Sequence, residues 1–209
     1  MLDIIQEGKD EYSIIMYIEN VFNTTELIDL ENWLKMNKHF NNDTGVKRKQ
    51  IWYQRDGYYF CKNWIKRFPR WESKKYDPIL NNYELKIQSL IHNLKELKYP
   101  NVYIPKINSC LINKYVDNNE FIKAHQDTPL SFGIYPTIIG LSIGDMRTLR
   151  LKRVLYNKDN QYLNKDIDLN HGSIFILAGS TNKYFTHEIE KTSQPKNIRY
   201  SLTFREYII

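Results

Sequence analysis

The run IRYSLTFRE at residues 198–206 constrains the fold more than any other segment. Ile198, Tyr200, Leu202 and Phe204 alternate with Arg199, Ser201, Thr203 and Arg205, the period of two that a strand with one apolar face requires. Four earlier runs after Pro105 have the same short, strand-like character: KINSCLINKYV, PTIIGLSIG, RTLRLKRV and GSIFILAG, separated by Gly, Asn, Asp and Pro. Short strands punctuated by turn residues build antiparallel sandwiches and jelly rolls. Strand–helix alternation and a Gly-rich phosphate loop are both missing, which argues against a doubly wound nucleotide fold.

The first half reads differently. Asn23 precedes TTELIDLENWLKM and has Glu26 three residues on, the pattern of a capping box, with Leu27, Leu30 and Leu34 spaced to face inward. Asp77 and Pro78 supply a cap and a first-turn proline for a second helix carrying Leu80, Tyr83, Ile87, Leu90, Leu94 and Leu97. Helices followed by strands predict an α+β fold, with N-terminal helices packed on one sheet of a sandwich or jelly roll. At 209 residues the chain has room for one well-buried domain, expected to span 1–209.

No apolar run approaches the roughly 18 residues of a membrane helix. The acidic start MLDIIQEGKDEY has neither the basic nor the apolar region of a secretory signal. Cys61 and Cys110 are too few and too unpatterned for a disulfide framework. An intracellular protein without a membrane partner is expected. Charge is uneven: residues 47–75 hold ten basic and two acidic side chains, a surplus of eight, so with +6 overall the remainder is net −2. The same window holds Trp52, Trp64 and Trp71 with Tyr53, Tyr58, Tyr59, Phe60 and Phe68. Basic groups neutralise phosphates and flat rings stack on bases, so the window is either a nucleic-acid surface or a solvated face over an aromatic core.

FIKAHQDTPL, residues 121–130, places one of only five histidines two residues before an aspartate. In a strand, i and i+2 point the same way, so His125 and Asp127 can share one metal. Two histidines and one carboxylate suit an iron(II) that keeps positions open for O2 and an organic chelator. The missing histidine is His171, at a turn entering a strand, or His187, twelve residues before Arg199. A planar guanidinium fork matches a carboxylate, which makes Arg199 and Arg205, on one strand face, candidates for a dicarboxylate co-substrate.

The ordered set of HQD at 125–127, His187 and RYSLTFR at 199–205 resembles the AlkB family of Fe(II)- and 2-oxoglutarate-dependent dioxygenases. LINKYVD resembles the family's Asn-x-Tyr segment, IIGLSIGDMRTLRLKR the strand pair after the HxD loop, and NHGSIFILAG the strand before the second histidine. KRKQIWYQRDGYYF is similar to the substrate-lid segment. The likeness runs from about residue 17 to the end.

The resemblance implies a double-stranded β-helix, with 1–100 as helical support and substrate lid and 101–209 as the catalytic jelly-roll core. It implies that His125, Asp127 and His187 bind Fe(II), that 2-oxoglutarate and O2 are co-substrates, and that Arg199 meets the far carboxylate with Arg205 near the other. Asn113, Tyr115 and Thr203 are expected to add hydrogen bonds. It further implies oxidative demethylation of DNA or RNA bases, with release of formaldehyde, succinate and CO2, by a monomer whose partner is nucleic acid. Arg48, Trp52, Tyr53, Tyr59 and Thr128 are the expected substrate contacts. In one place the chain departs from the family: Thr128 and Pro129 follow HQD where repair relatives carry acidic residues, which keeps a protein or small-molecule oxygenase, or a binding module without turnover, as alternatives.

Overall fold

The structure is a computed structural model in which residues 1–40, 48–92, 103–154 and 164–208 are described. Its order begins β1 (Leu2–Gln6), β2 (Tyr12–Ile18), α1 (Thr24–Met36), β3 (Lys49–Gln54) and α2 (Pro78–His92). It continues with β4 (Ser109–Tyr115), β5 (Ile122–His125), the single turn α3 (Pro129–Phe132), β6 (Ile138–Gly144) and β7 (Arg147–Arg153). Last come β8 (Lys165–Leu169), β9 (Ile174–Gly179), the single turn α4 (Thr181–Tyr184), β10 (Phe185–Ile189) and β11 (Arg199–Arg205).

Both helices form where the cap chemistry places them. The Asn23 side chain accepts from the Glu26 N–H at 3.0 Å while the Glu26 carboxylate accepts from the Asn23 N–H at 2.7 Å, so two orphan donors of the first turn are satisfied at once. Asp77 Oδ1 accepts from the Ile79 N–H at 2.9 Å at the start of α2. Leu30 and Leu34 of α1 and Leu80, Tyr83, Ile87 and Ile91 of α2 are buried. The expected helical positions Leu94 and Leu97 lie outside the described residues.

The strands form two antiparallel sheets, one of seven strands in the order β1-β2-β9-β6-β11-β4-β3 and one of four in the order β5-β10-β7-β8. The large sheet is the middle of three layers. One face packs Ile51, Ile112, Leu141, Ile176, Leu202 and Phe204 against the two helices. The other face packs Ile15, Ile138, Phe175 and Leu177 against Leu149, Leu151, Ile167 and Phe185 of the small sheet. This is the double-stranded β-helix with helices on one sheet that the sequence predicts. Gly140 makes one close crossing possible: a Cβ there would sit 2.0 Å from the Phe175 ring.

All five strand-like runs are strands, as β4, β6, β7, β9 and β11. The first half differs from expectation, because it contributes β1, β2 and β3 to the large sheet. Strands β2 and β3 are covered on both faces, so apolar residues stand side by side and alternation is lost, while β1 is a half-buried edge strand. Ile14 enters the helix-side core while its neighbour Ile15 enters the inter-sheet core. Strands β5, β8 and β10 have four or five residues each, too few for a period to register.

Candidate metal centre and co-substrate pocket

Pairing of β5 with β10 assembles the metal ligands. His125 and His187 are direct partners in that antiparallel register, which brings their ring centroids to 4.3 Å. Asp127, two residues past His125, places Oδ1 4.0 Å from His125 Nε2. One ligand atom from each of His125, Asp127 and His187 lies within 4.8 Å of the others. His171, the rival third ligand, is exposed and its Nδ1 accepts the Gly144 N–H at 2.9 Å, the ordinary turn role.

Each ligand is oriented by a neighbour. His125 Nδ1 lies 2.8 Å from the Lys123 carbonyl. A carbonyl only accepts, so the proton sits on Nδ1 and the Nε2 lone pair is left for a metal. Asn182 of α4 grips the backbone of Asp127 twice, accepting from its N–H at 2.8 Å and donating to its carbonyl at 3.1 Å. Gln126 adds bonds from Nε2 to the carbonyls of Asn182 and Lys183 at 2.8 and 2.9 Å. Arg205 closes on the Asp127 carboxylate through Nε to Oδ2 and through Nη2 to Oδ1 at 3.2 Å.

The electrostatics keep this set ready to ligate. Burial raises the Asp127 carboxyl, but Arg205 and the two imidazoles outweigh it and hold the group below the usual carboxylate range. Burial, then the charge of His125, pushes His187 down to about 3, and burial lowers His125 as well. Two neutral imidazoles and one carboxylate result, the donor chemistry that suits iron(II).

The triad lies in a cavity of about 1120 Å3 whose wall includes Asn113, Tyr115, Arg199, Thr203 and Arg205. Arg199 is 1% exposed and donates from Nε to Ser142 Oγ at 3.1 Å, whereas Nη1 and Nη2 are buried without a well-formed hydrogen bond among the described residues and have the Tyr115 side chain as an electrostatic neighbour. An unpaired buried guanidinium edge is costly, and a carboxylate is the group it fits. Burial lowers the Arg199 pKa to about 10, so the side chain stays charged. The Arg199 guanidinium lies 5.3 Å from the Tyr115 ring centroid. Asn113 turns its Oδ1 to Arg48 Nε at 2.7 Å and to Gln50 Nε2 at 3.1 Å. The donor set and the orphaned edge together fit an iron ion and a dicarboxylate. Arg205 is committed to Asp127, so the two arginines do not form the simple pair of carboxylate arms that their spacing suggests.

Arg48 and Thr128 line the same cavity. Trp52 and Tyr53 correct the expectation of substrate contact. They are 1% and 2% exposed, because β3 is covered on both faces. Trp52 packs on Phe60, Phe132 and Tyr207 and donates to the Tyr58 carbonyl at 2.9 Å, while the Tyr53 hydroxyl accepts from Asn37. Tyr59 is half-buried and does not line the cavity. The aromatic wall is made instead by Phe60, Trp64 and Trp71, with Trp64 and Trp71 centroids 5.3 Å apart. The basic aromatic composition pointed to this window, but not to these members of it. Asn182 carried no sequence signal, since it acts through the backbone of a residue far away in the chain.

A jelly roll with this triad defines a class of metal-binding protein. The 2OG-Fe(II) oxygenase superfamily model matches residues 15–205, and the chain belongs to that superfamily, whose cofactors are Fe(II), 2-oxoglutarate and O2. Over about half of its length the chain is similar to AlkB homologues. It is 33% identical over 102 residues to the alpha-ketoglutarate-dependent dioxygenase alkB homolog 3 of Mus musculus, a match covering 47% of this chain and 36% of that protein. It is 25% identical over 118 residues to the DNA oxidative demethylase ALKBH2 of Arabidopsis thaliana, covering 48% and 38%. The chain thus spans little more than a third of these relatives' length. The solved structure of OsALKBH1 shares the fold, with a TM-score of 0.66 at 14% identity over 99% of this chain and 100% of that one. A Trichoplax adhaerens prolyl hydroxylase bound to a hypoxia inducible factor peptide has a TM-score of 0.59 at 15% identity, covering 93% and 83%. Among the described residues no helix is long and apolar enough to cross a membrane.

Proposed function

We propose that this chain is an Fe(II)- and 2-oxoglutarate-dependent dioxygenase that removes alkyl groups from nucleic-acid bases. The observation that carries the reading is that one cavity is lined both by the metal triad and by Arg48, Trp64, Arg70 and Trp71 of the basic, aromatic window. Bases stack on indole faces and guanidinium groups hold phosphates, which is what an enzyme acting on an extruded base requires. The names of the alkB homolog 3 and oxidative demethylase relatives agree with it.

His125, Asp127 and His187 would hold the iron, and Arg199 the distal carboxylate of 2-oxoglutarate. Tyr115, Asn113 and Thr203 would line the co-substrate, while Arg205 fixes Asp127 beside its chelating end. The chemistry those groups supply is hydroxylation of a substrate C–H bond, coupled to conversion of 2-oxoglutarate and O2 to succinate and CO2. On an N-methyl group, the hydroxymethyl product breaks its C–N bond and leaves as formaldehyde. The protein's part is ligation, orientation and exclusion of water by the aromatic wall. On this reading the chain is one dioxygenase unit, its N-terminal half furnishing the supporting helices and the basic wall.

The test is to supply Fe(II), ascorbate, 2-oxoglutarate and O2 with methylated single- and double-stranded DNA and RNA oligonucleotides, and to measure succinate and formaldehyde. Formaldehyde produced in step with succinate supports the reading, and His125→Ala should abolish both. Succinate without oligonucleotide-dependent formaldehyde would reject nucleic acid and favour the protein or small-molecule substrate that the uncharged Thr128 and Pro129 leave open.

A further inference from the structure

We infer that Glu11, at the turn of the N-terminal hairpin, is a positioning residue of the metal centre and acts on it through the single turn α4. The inference rests on the metal triad and is independent of whether the substrate is nucleic acid.

The turn between β1 and β2 is closed by the Glu7 and Gly8 N–H groups, which donate to the Glu11 carbonyl at 2.8 and 3.3 Å. From that fixed backbone the Glu11 carboxylate joins two other segments. It accepts from Lys183 Nζ and the Tyr184 hydroxyl of α4, and from the hydroxyl of Tyr135 in the connection between α3 and β6, at 2.6 to 2.9 Å. The hairpin is itself anchored. Buried Glu7 accepts from Ser13 Oγ at 2.7 Å and from the guanidinium of Arg153, the last residue of β7. Backbone contacts add to the grip on α4: the Ser180 N–H donates to the Tyr12 carbonyl at 2.9 Å, and the Ile14 N–H to Thr181 Oγ1 at 3.0 Å.

Through its remaining polar groups α4 holds the metal loop. Asn182 bonds the N–H and the carbonyl of Asp127, and Gln126 Nε2 bonds the carbonyls of Asn182 and Lys183. Lys183 is thus held at its side chain by Glu11 and at its carbonyl by Gln126, the residue between two ligands. A turn of four residues is far shorter than the roughly 12 an isolated helix needs. Its shape is therefore set by what brackets it, which is the hairpin and the metal loop. Glu11 precedes residue 15, where the superfamily match begins, so this support is not among the features that place the chain in the superfamily.

Two readouts test the role: Mn(II) affinity by calorimetry, and hydrogen exchange of residues 125–127 in the metal-free protein. Glu11→Ala should weaken Mn(II) binding about three- to tenfold, as for groups coupled in one hydrogen-bond network, and should speed exchange of the Asp127 N–H. In an Asn182→Ala background the path is cut, so the further loss from Glu11→Ala should fall below about twofold. Glu26→Gln, which removes the capping-box carboxylate of α1, should lower the melting temperature yet leave both readouts unchanged. If Glu11→Ala does not fold, Lys183→Met and Tyr135→Phe each cut one link and should move both readouts the same way. Unchanged affinity and exchange in these variants would overturn the inference. So would a Glu11→Ala loss that is undiminished without Asn182, or an equal loss in Glu26→Gln. Wild-type protein that bound no Mn(II) would instead overturn the metal triad, and the positioning role with it.

Discussion

Arg205, at the end of β11, and Asp127, just past β5, form a buried two-point ion pair between the two sheets. The pair fixes the carboxylate of the metal triad from behind. Removing one partner of a buried pair leaves an uncompensated charge. Arg205→Ala is therefore expected to weaken metal affinity about 10- to 100-fold, the usual cost of losing a group that orients a ligand. Titration with Mn(II) as a redox-inert substitute checks this; affinity equal to the wild type would count against the pair's role.

Asn182 is expected to matter through the backbone of Asp127, which it holds by two hydrogen bonds. Asn182→Ala should lower metal affinity about tenfold, with a smaller loss of melting temperature than a core deletion causes. Asn182→Gln, which keeps the amide but shifts it by one methylene, should recover only part of the affinity. Paired metal titrations and thermal melts of the two variants test the idea.

Arg199 carries a burial cost that 2-oxoglutarate is expected to relieve. Its buried terminal amines lack a well-formed hydrogen bond among the described residues, so 2-oxoglutarate should raise the melting temperature markedly through binding to the folded state alone. Arg199→Met should weaken 2-oxoglutarate by roughly 1.5–3 kcal/mol, the range of hydrogen bonds to charged groups, while leaving the free protein as stable or more so. Melting curves with and without 2-oxoglutarate separate the two effects.

Glu11 links the N-terminal hairpin to α4. Its carboxylate accepts from Lys183 Nζ at 2.7 and 2.9 Å and from the Tyr135 and Tyr184 hydroxyls at 2.6 Å each. Lys183, then the two tyrosines, lower its pKa from 4.5 to about 2. A depressed folded-state value means that the stabilisation is full above 4.5 and is lost as pH falls towards 2. The melting-temperature difference between wild type and Glu11→Gln should therefore be constant near neutrality and shrink through that window. A difference that is flat across it would contradict the assignment.

Residues that act by pattern were legible in the sequence. The alternation in 198–205 located β11 and separated its core face from its site face, and the Asn23–Glu26 pair located α1 because capping is a local matter. The HQD spacing gave two ligands for the same reason. Trp52 and Tyr53 were misread because composition does not distinguish an aromatic face in solvent from one buried in a strand covered on both sides. Pairing of β5 with β10 decided between His171 and His187, and such pairing is non-local. Arg205 was visible as a site residue, but its commitment to Asp127 was not, since that contact spans 78 positions in the chain.

The central claim is that His125, Asp127 and His187 together form one metal site that 2-oxoglutarate completes. Calorimetric titration of Mn(II) into the protein, with and without 2-oxoglutarate, tests it most directly when wild type is run beside His187→Ala and Asp127→Ala. One ion per wild-type chain is expected, bound more tightly when 2-oxoglutarate is present, with binding lost in both variants. Undiminished binding in either variant, or wild-type binding indifferent to 2-oxoglutarate, would contradict the account.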